Sequence, residues 1–171
     1  MRGGDQAFTA FVDARSASLL RFAYLLAPEP TAAQDLLQTA LLRTYLRWGR
    51  VRDNPDAYVR RVLVTVAADE RRRPWRREVA TAQLSEQASS NDPTGGVDET
   101  DLLRRTLAGL PARQRAAVVL RYHEGLSAAQ TADLLGCAEG TARSQATRGL
   151  DKLRAALAPE SQEIGTGGDH D

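Results

Sequence analysis

Apolar side chains in the first part of the chain recur every three to four residues, which is the period of an α-helix. The first run consists of Phe8, Phe11, Val12, Leu19, Phe22, Ala23 and Leu26. It stops at a Pro-Glu-Pro sequence, residues 28–30. A second run opens with Thr31 and Gln34 in the spacing of a capping box, whose side chains satisfy free backbone N–H groups. The pattern predicts two helices, the second of which should reach about Trp48.

A third helix is predicted to begin at Asn54-Pro55, because asparagine caps helix N-termini and proline fits the first helical position. We expect it to continue to the arginine cluster before Pro74. Residues 79–97 lack a sustained apolar period and contain Asp-Pro-Thr-Gly-Gly, which predicts a linker. We find no strand pattern, so we expect an all-α fold of two small helical domains joined by a flexible linker.

The segment after the linker predicts a helix-turn-helix. Ser127 and Gln130 form a second capping-box pattern, and Gly136 can close a tight turn between two helices. The residues expected to face the core are Ala132, Leu135, Ala142, Leu150 and Leu153. The residues left on the outer face of the second helix are Arg143, Ser144, Thr147 and Arg148. Such a helix can enter the major groove of DNA, although an ordinary helical hairpin with solvated arginines has the same spacing.

Charge is distributed unevenly along the chain. Residues 43–77 contain eleven arginines and four acids, whereas residues 79–103 contain five acids and no basic residue. Residues 104–157 are basic again, with nine basic and four acidic side chains. The tail, residues 158–171, is acidic and has no apolar pattern, so we expect it to be disordered. Two basic blocks therefore flank an acidic linker.

Few features favour an enzyme or a metal protein. One cysteine, Cys137, and two distant histidines, His123 and His170, cannot form an internal disulfide or a metal-binding set. Cys137 is interpreted as a packed side chain and not as a redox sensor. Without a glycine-rich phosphate loop or a nucleophile near a base, we expect no catalytic residue, cofactor or metal. Without a signal peptide or roughly 18 consecutive apolar residues, we expect a cytoplasmic protein with no membrane insertion.

Two separated stretches resemble a known family. Residues 32–48, AAQDLLQTALLRTYLRW, are similar to the polymerase-docking segment of extracytoplasmic-function RNA polymerase sigma factors, a group of the sigma-70 family. Residues 110–154 are similar to the segment of that family that recognises the minus-thirty-five promoter element, and NPDAYVRRVLVTVAADERRR lies between the two stretches. The resemblance covers residues 5–157 and is nearest to the SigE-like subgroup.

The resemblance implies a division of labour along the chain. Residues 5–78 would be sigma region 2, which binds core polymerase and melts the minus-ten element. Residues 79–97 would be the linker, and residues 98–157 would be region 4, which recognises the minus-thirty-five element. The partners would be core RNA polymerase, promoter DNA and an anti-sigma factor.

By resemblance, the polymerase-binding residues are Asp35, Gln38 and Thr39. Thr39 departs from the family, which usually has an acid there. These residues lie only partly on the face away from Leu36, Leu37 and Leu46. An alternative is that Asp35 is favoured only by the helix macrodipole, which attracts acids to the N-terminus.

The residues assigned to the minus-ten element by resemblance are Tyr58, Arg60, Arg61, Thr65, Arg71, Arg72 and Arg73. The arginines supply a cationic surface for the displaced strand, and an aromatic ring can stack on an exposed base. Tyr58 could instead be ordinary packing. Thr65 stands where the family commonly has asparagine.

The residues assigned to the minus-thirty-five element are Thr141, Arg143, Ser144, Gln145, Thr147 and Arg148. Arginine can bind guanine with two hydrogen bonds, so Arg143 and Arg148 are the main candidates for base recognition. Ala138 stands where relatives place a serine N-cap, so we expect the helix to start later or to depend on Thr141.

The predicted function is therefore a sigma factor that binds core RNA polymerase and directs transcription to specific promoters. The alternative is a helix-turn-helix regulator that acts without polymerase. The acidic linker is expected to occupy the cationic RNA channel of polymerase, and the alternative is that its acids only keep a tether extended and soluble.

Overall fold

The computed structural model describes residues 2–27, 29–69 and 99–158. The helices in these ranges are α1 (Arg2–Leu26), α2 (Pro30–Leu46), α3 (Trp48–Val51), α4 (Pro55–Ala68), α5 (Glu99–Ala108), α6 (Ala112–Val118), α7 (Ala128–Leu135) and α8 (Glu139–Leu157). A π-helical turn, Val119–His123, continues α6. None of the described residues forms a strand, and the predicted all-α class is confirmed.

Some predicted features lie outside the described ranges. They are the cluster of Arg71, Arg72 and Arg73, the linker at 79–97, and all of the tail except its first residue. Two of the five acids counted in residues 79–103, Glu99 and Asp101, lie in the first turn of α5. A carboxylate is favoured there by the helix dipole, and this local effect accounts for the presence of these two acids.

The first domain is built from α1, α2 and α4, which pack against one another. Its centre is formed by Leu19, Leu36 and Leu63, one from each helix and all fully buried. The short helix α3 is held by aromatic rings: the Trp48 ring lies 5.2 Å from that of Phe8 in an edge-to-face arrangement. Helical periodicity in the sequence correctly predicted the buried positions of Leu19 and Leu36.

Three predicted helix ends in the first domain are wrong. α2 begins at Pro30 with Glu29 as N-cap and no side-chain cap, so the capping box of Thr31 and Gln34 does not form. Proline suits the first helical position because its missing N–H would have no partner there, and this start moves Thr31 into the first turn. α2 also ends at Leu46, before Trp48.

The end of α4 differs from the prediction in the same way. The helix ends at Ala68, where the buried stripe ends, and Asp69 is extended with ψ 103°. It therefore does not run on to the arginine cluster. Its predicted start is confirmed, because the Asn54 side chain accepts a hydrogen bond from the Ala57 N–H and Pro55 occupies the first turn.

The second domain packs α6, α7 and α8 around a small core. α6 and α8 lie close together at Gly149, where a Cβ atom would lie only 2.6 Å from Cγ2 of Val118 and 3.1 Å from the carbonyl oxygen of Gln114. Only glycine therefore fits between the two helices without movement. This contact fixes the position of the second helix of the helix-turn-helix.

Candidate polymerase and DNA interfaces

The outer face of α2 carries a row of exposed side chains spaced three or four residues apart. Asp35 and Gln38 are exposed, and they are followed by Leu42, which is 60% exposed, and Leu46, which is 74% exposed. Residues at this spacing lie along one side of a helix. We call Asp35, Gln38, Leu42 and Leu46 the docking stripe.

Two expectations for this helix are corrected by the structure. Leu46 was predicted on the buried face, but it is the most exposed large apolar side chain among the described residues. No acid lies in the first turn of α2, so the macrodipole alternative for Asp35 fails, because that effect is confined to the first turn. Thr39 is half-buried, and its hydroxyl donates to the carbonyl oxygen of Asp35 at 2.9 Å.

Three of the predicted minus-ten residues share one face of α4. Tyr58, Arg61 and Thr65 line an open cleft of about 480 Å³ between α2 and α4. Arg43 of α2 and Arg47, the residue that follows the last residue of α2, line the same cleft, together with Leu46 and Val62. We call this the α2–α4 cleft. Three guanidinium groups and a phenol ring around one cavity can hold phosphates and an unstacked base.

Arg43 and Arg47 were not singled out from the sequence. They are four residues apart at the C-terminal end of α2, but only the packing of α2 against α4 shows that they line one cleft with Tyr58. Thr65 lies at the edge of the cleft, where its hydroxyl donates to the Val62 carbonyl oxygen at 3.1 Å. A helix-internal bond of this kind leaves the hydroxyl oxygen free to accept another bond.

Arg60 does not line the α2–α4 cleft. Its Nε donates to Asp56 at 2.9 Å, and its other nitrogens lie 3.4 Å from Ser18 and from Glu124 of the second domain. Its guanidinium also lies 4.9 Å from the centre of the Phe22 ring. Arg60 lines instead a second cleft, of about 450 Å³, together with Tyr58 and Arg61.

Asp56 is paired with two arginines, Arg15 at 2.8 Å and Arg60 at 2.9 Å. Partial burial of the carboxyl group acts to raise its pKa, but hydrogen bonds and charge from Arg60 and Arg15 outweigh this, so the pKa of Asp56 is lowered. Asp56 therefore stays ionised and joins α1 to α4.

The helix-turn-helix forms as predicted. The Ser127 hydroxyl accepts from the Gln130 N–H at 3.1 Å, and the Gln130 side chain accepts from the Ser127 N–H at 2.9 Å. Gly136 ends α7 in the left-handed region at φ 63°, which glycine adopts without steric cost. The predicted core residues are buried except Leu150, which is only partly buried. Cys137 packs partly buried against this core.

The second helix of the motif, α8, presents several of the predicted DNA-binding residues. Thr141, Arg143, Thr147 and Arg148 are exposed, whereas Ser144 and Gln145 are half-buried. The first turn begins at Glu139 with Ala138 as an N-cap that offers no side-chain hydrogen bond. The expected later start of this helix is therefore wrong.

The two candidate base-reading arginines differ in their surroundings. Arg143 pairs with Glu139 at 2.7 Å, one turn before it on the same helix. For Arg148, no ion pair with another described residue is found. An exposed pair within one helix is weak, so Arg143 can exchange Glu139 for another partner.

Two further findings concern the described residues as a set. None of their histidine, cysteine, aspartate and glutamate side chains form a group of three or more that could hold a metal ion. None of their helices is both long and apolar enough to cross a membrane.

Known proteins match this chain along nearly its whole length. The RNA polymerase sigma-E factor of Streptomyces avermitilis is 42% identical over 159 residues, which cover 92% of this chain and 87% of the relative. Family models match in two places, "Sigma-70 region 2" at residues 11–77 and "Sigma-70, region 4" at residues 100–153. The chain belongs to the sigma-70 family. The alternative, a stand-alone helix-turn-helix regulator, does not account for the match to region 2 and is not favoured.

A further relative supports this membership, and one solved structure has a similar fold. The ECF RNA polymerase sigma factor SigM of Mycobacterium tuberculosis is 32% identical over 157 residues, covering 91% of this sigma factor and 79% of SigM. The fold of this chain is similar to that of the sigma factor RpoE from Bartonella quintana, solved in complex with the anti-sigma factor NepR, with a TM-score of 0.57 and 23% identity. That match covers 88% of this chain and 96% of RpoE.

Proposed function

We propose that this sigma factor binds core RNA polymerase through the docking stripe and directs it to promoters through two DNA-binding surfaces. Residues 5–78 would contact polymerase and the minus-ten element, and residues 98–157 the minus-thirty-five element. The observation that carries the proposal is the docking stripe, in which Leu42 and Leu46 of α2 are exposed to solvent beside Asp35 and Gln38. Exposed leucines aligned on one helix face are typical of a protein-binding surface.

The docking stripe and the α2–α4 cleft share Leu46, so polymerase and the displaced DNA strand would bind next to each other on the first domain. Polymerase performs the chemistry, and this chain supplies the recognition of the promoter without a catalytic site of its own. Because it acts on polymerase and chromosomal DNA, its place of action would be the cytoplasm.

For the minus-ten element, we propose that Arg43, Arg47 and Arg61 bind phosphates while Tyr58 stacks on an unpaired base. Arg71, Arg72 and Arg73, which lie outside the described residues, would extend this cationic surface. Thr65 could accept a hydrogen bond at its edge. The proposal is supported by the cleft itself, since a phenol ring beside three guanidinium groups is suited to single-stranded nucleic acid.

Replacing Tyr58 with alanine should weaken binding of single-stranded DNA to the free sigma factor. Loss of one aromatic–base stack costs about 1–3 kcal/mol, so we expect a decrease in affinity by roughly one order of magnitude, measured by fluorescence anisotropy with a labelled oligonucleotide. Tyr58→Phe keeps the ring and should retain most of the affinity. Tyr122→Ala removes an exposed tyrosine of the second domain and is the matched control. Equal affinities for all three variants would exclude stacking by Tyr58.

For the minus-thirty-five element, we propose that Arg143 and Arg148 read bases, while Thr141, Ser144, Gln145 and Thr147 contact the groove and its phosphates. The exposure of both arginines on one helix, behind an intact helix-turn-helix, supports the assignment. A bidentate arginine–guanine pair supplies about 1–3 kcal/mol of discrimination against another base.

Arg148→Ala should change which minus-thirty-five sequences support transcription, because a base contact specifies sequence and a phosphate contact does not. The measurement is run-off transcription by core polymerase with the variant on a library of minus-thirty-five sequences. We expect the preference for one base at one position of the minus-thirty-five element to decrease by about one order of magnitude. Arg154→Ala, an exposed arginine in the last turn of α8, is the control. An equal loss of transcription on every sequence would show that Arg148 contacts a phosphate and not a base.

A further inference from the structure

The N-terminal end of α8 is uncovered. Four consecutive residues there, 138–141, are all exposed. A Cβ atom added at Gly140 would meet no atom within 4 Å, so no other described helix packs against this point. In helix-turn-helix proteins the N-terminal residues of the second helix contact base edges in the major groove. The side chains of this first turn are therefore free to enter the groove.

Glu139, the first residue of α8, is the only acid in the sequence between residues 138 and 150. Its carboxylate lies 2.7 Å from the guanidinium of Arg143, and the side chains of Arg143 and Glu139 are 63% and 53% exposed. The ends of the two side chains thus meet on the outer face of α8. Glu139 therefore reaches the same surface as an arginine that we assign to base recognition.

A carboxylate in the major groove needs a hydrogen-bond donor. It can only accept hydrogen bonds when it is ionised, and the phosphates on both sides of the groove repel it. An ionised group that loses its water without gaining a donor weakens binding. The base edges of the major groove offer two donors, the amino groups of cytosine and of adenine.

Cytosine suits a carboxylate better than adenine does. Its edge in the major groove presents the N4 amino group as donor and no acceptor. Adenine presents the acceptor N7 next to its amino group, and N7 would face the second carboxylate oxygen. The charge of Glu139 therefore favours cytosine.

We propose that Glu139 is a specificity-determining residue of this sigma factor, which accepts a hydrogen bond from a cytosine in the base pair next to the guanine bound by Arg143. The inference rests on the proposed function of α8. Cβ atoms four residues apart on a helix are separated by about 5–6 Å, which exceeds the rise of about 3.4 Å between base pairs. The two side chains therefore reach neighbouring base pairs.

Glu139 also has two effects within the protein. A carboxylate in the first turn is favoured by the helix dipole, and a glutamate four residues before an arginine stabilises a helix. Neither effect depends on the promoter sequence. If they were its whole role, a change at Glu139 would alter transcription equally on every minus-thirty-five sequence.

The test is run-off transcription by core polymerase with Glu139→Gln on a library of minus-thirty-five sequences. Glutamine keeps the size of the side chain and removes its charge. Its amide can bind adenine with two hydrogen bonds. We expect the preference for cytosine at one position to decrease about tenfold and adenine to become the preferred base there. Arg143→Ala should reduce the preference for guanine at the neighbouring position.

The double variant, Glu139→Gln with Arg143→Ala, separates direct recognition from an effect through Arg143. If Glu139 contacts its own base, the change from cytosine to adenine persists without the arginine. A Glu139→Gln variant that alters only the position affected by Arg143→Ala would overturn the proposal, because Glu139 would then only hold Arg143 in place.

The matched control is Asp151→Asn, which removes one negative charge from an exposed position about three turns further along α8 and should leave every base preference unchanged. Circular dichroism checks that the variants keep their helices. An equal change with Glu139→Gln on all sequences would also overturn the proposal. The proposed function would still stand in that case if Arg148→Ala changed the preferences on the same library, so the two failures are distinguishable.

Discussion

Replacing Leu42 and Leu46 together with serine should weaken the binding of core RNA polymerase by more than tenfold. The two side chains are 60% and 74% exposed in the free protein. Burying a leucine completely contributes about 1.5–3 kcal/mol, and the two lie on the same side of α2 as Asp35 and Gln38. The measurement is competition binding to core polymerase against the unmodified chain.

Two controls accompany this prediction. Leu157→Ser removes an exposed leucine at the end of α8 and should leave polymerase binding unchanged. Asp35→Ala with Gln38→Ala should weaken binding as well, since these residues complete the docking stripe. All of these side chains are exposed, so thermal stability should change little. Polymerase affinity equal to that of the unmodified chain in both double variants would refute the assignment of α2.

Replacing Gly149 with alanine should lower the stability of the second domain by about 1–3 kcal/mol, because an added methyl in a close-packed contact forces neighbouring atoms to move. The new Cβ would lie 2.6 Å from Cγ2 of Val118. Calorimetric unfolding of the full chain should show a lower midpoint for the transition of the second domain. DNA binding by α8 should weaken in parallel, since this contact positions the helix.

Gly140 provides a control in the same helix. A Cβ there would meet nothing within 4 Å, and alanine is favoured over glycine in a helix by about 0.5–1 kcal/mol. Gly140→Ala should therefore raise stability, the opposite sign for the same chemical change. Val118→Ala combined with Gly149→Ala should recover part of the loss. If Gly149→Ala left the stability of the second domain unchanged, α6 and α8 would be able to move apart without loss of stability.

Local signals in the sequence predicted the structure well wherever a few neighbouring residues determine it. The capping box at Ser127, the N-cap at Asn54 and the turn at Gly136 are of this kind, and all three are present. The capping box at Thr31 failed because a stronger local signal, Pro30, lies one residue earlier. Both signals favour a helix start, and proline decides which residue begins the helix.

The parts of the candidate sites that could not be predicted depend on contacts between distant helices. Leu46 was placed with the core because it is apolar, but it lies four residues after Leu42 on the exposed face of α2. Arg43 and Arg47 become part of a cleft only because α4 packs beside them. Arg60 and Arg61 are adjacent in sequence, yet one faces Glu124 and the other the α2–α4 cleft. Tertiary packing, and not composition, separates their roles.

The π-helical turn at Val119–His123 sets the direction in which the next residues of the chain point. Its wider winding is seen in the hydrogen bond from the Glu124 N–H to the Val119 carbonyl oxygen, five residues earlier, at 3.0 Å. A π-helical turn holds one residue more than an α-helical turn, so removing one residue would restore the ordinary bond between residues four apart and leave Glu124 at the same place on the helix. Removing a second residue would rotate the residues after it by about one helical position, roughly 100°. Glu124 would then no longer face Arg60, so this segment can lose one residue but not two without losing the ion pair between the two domains.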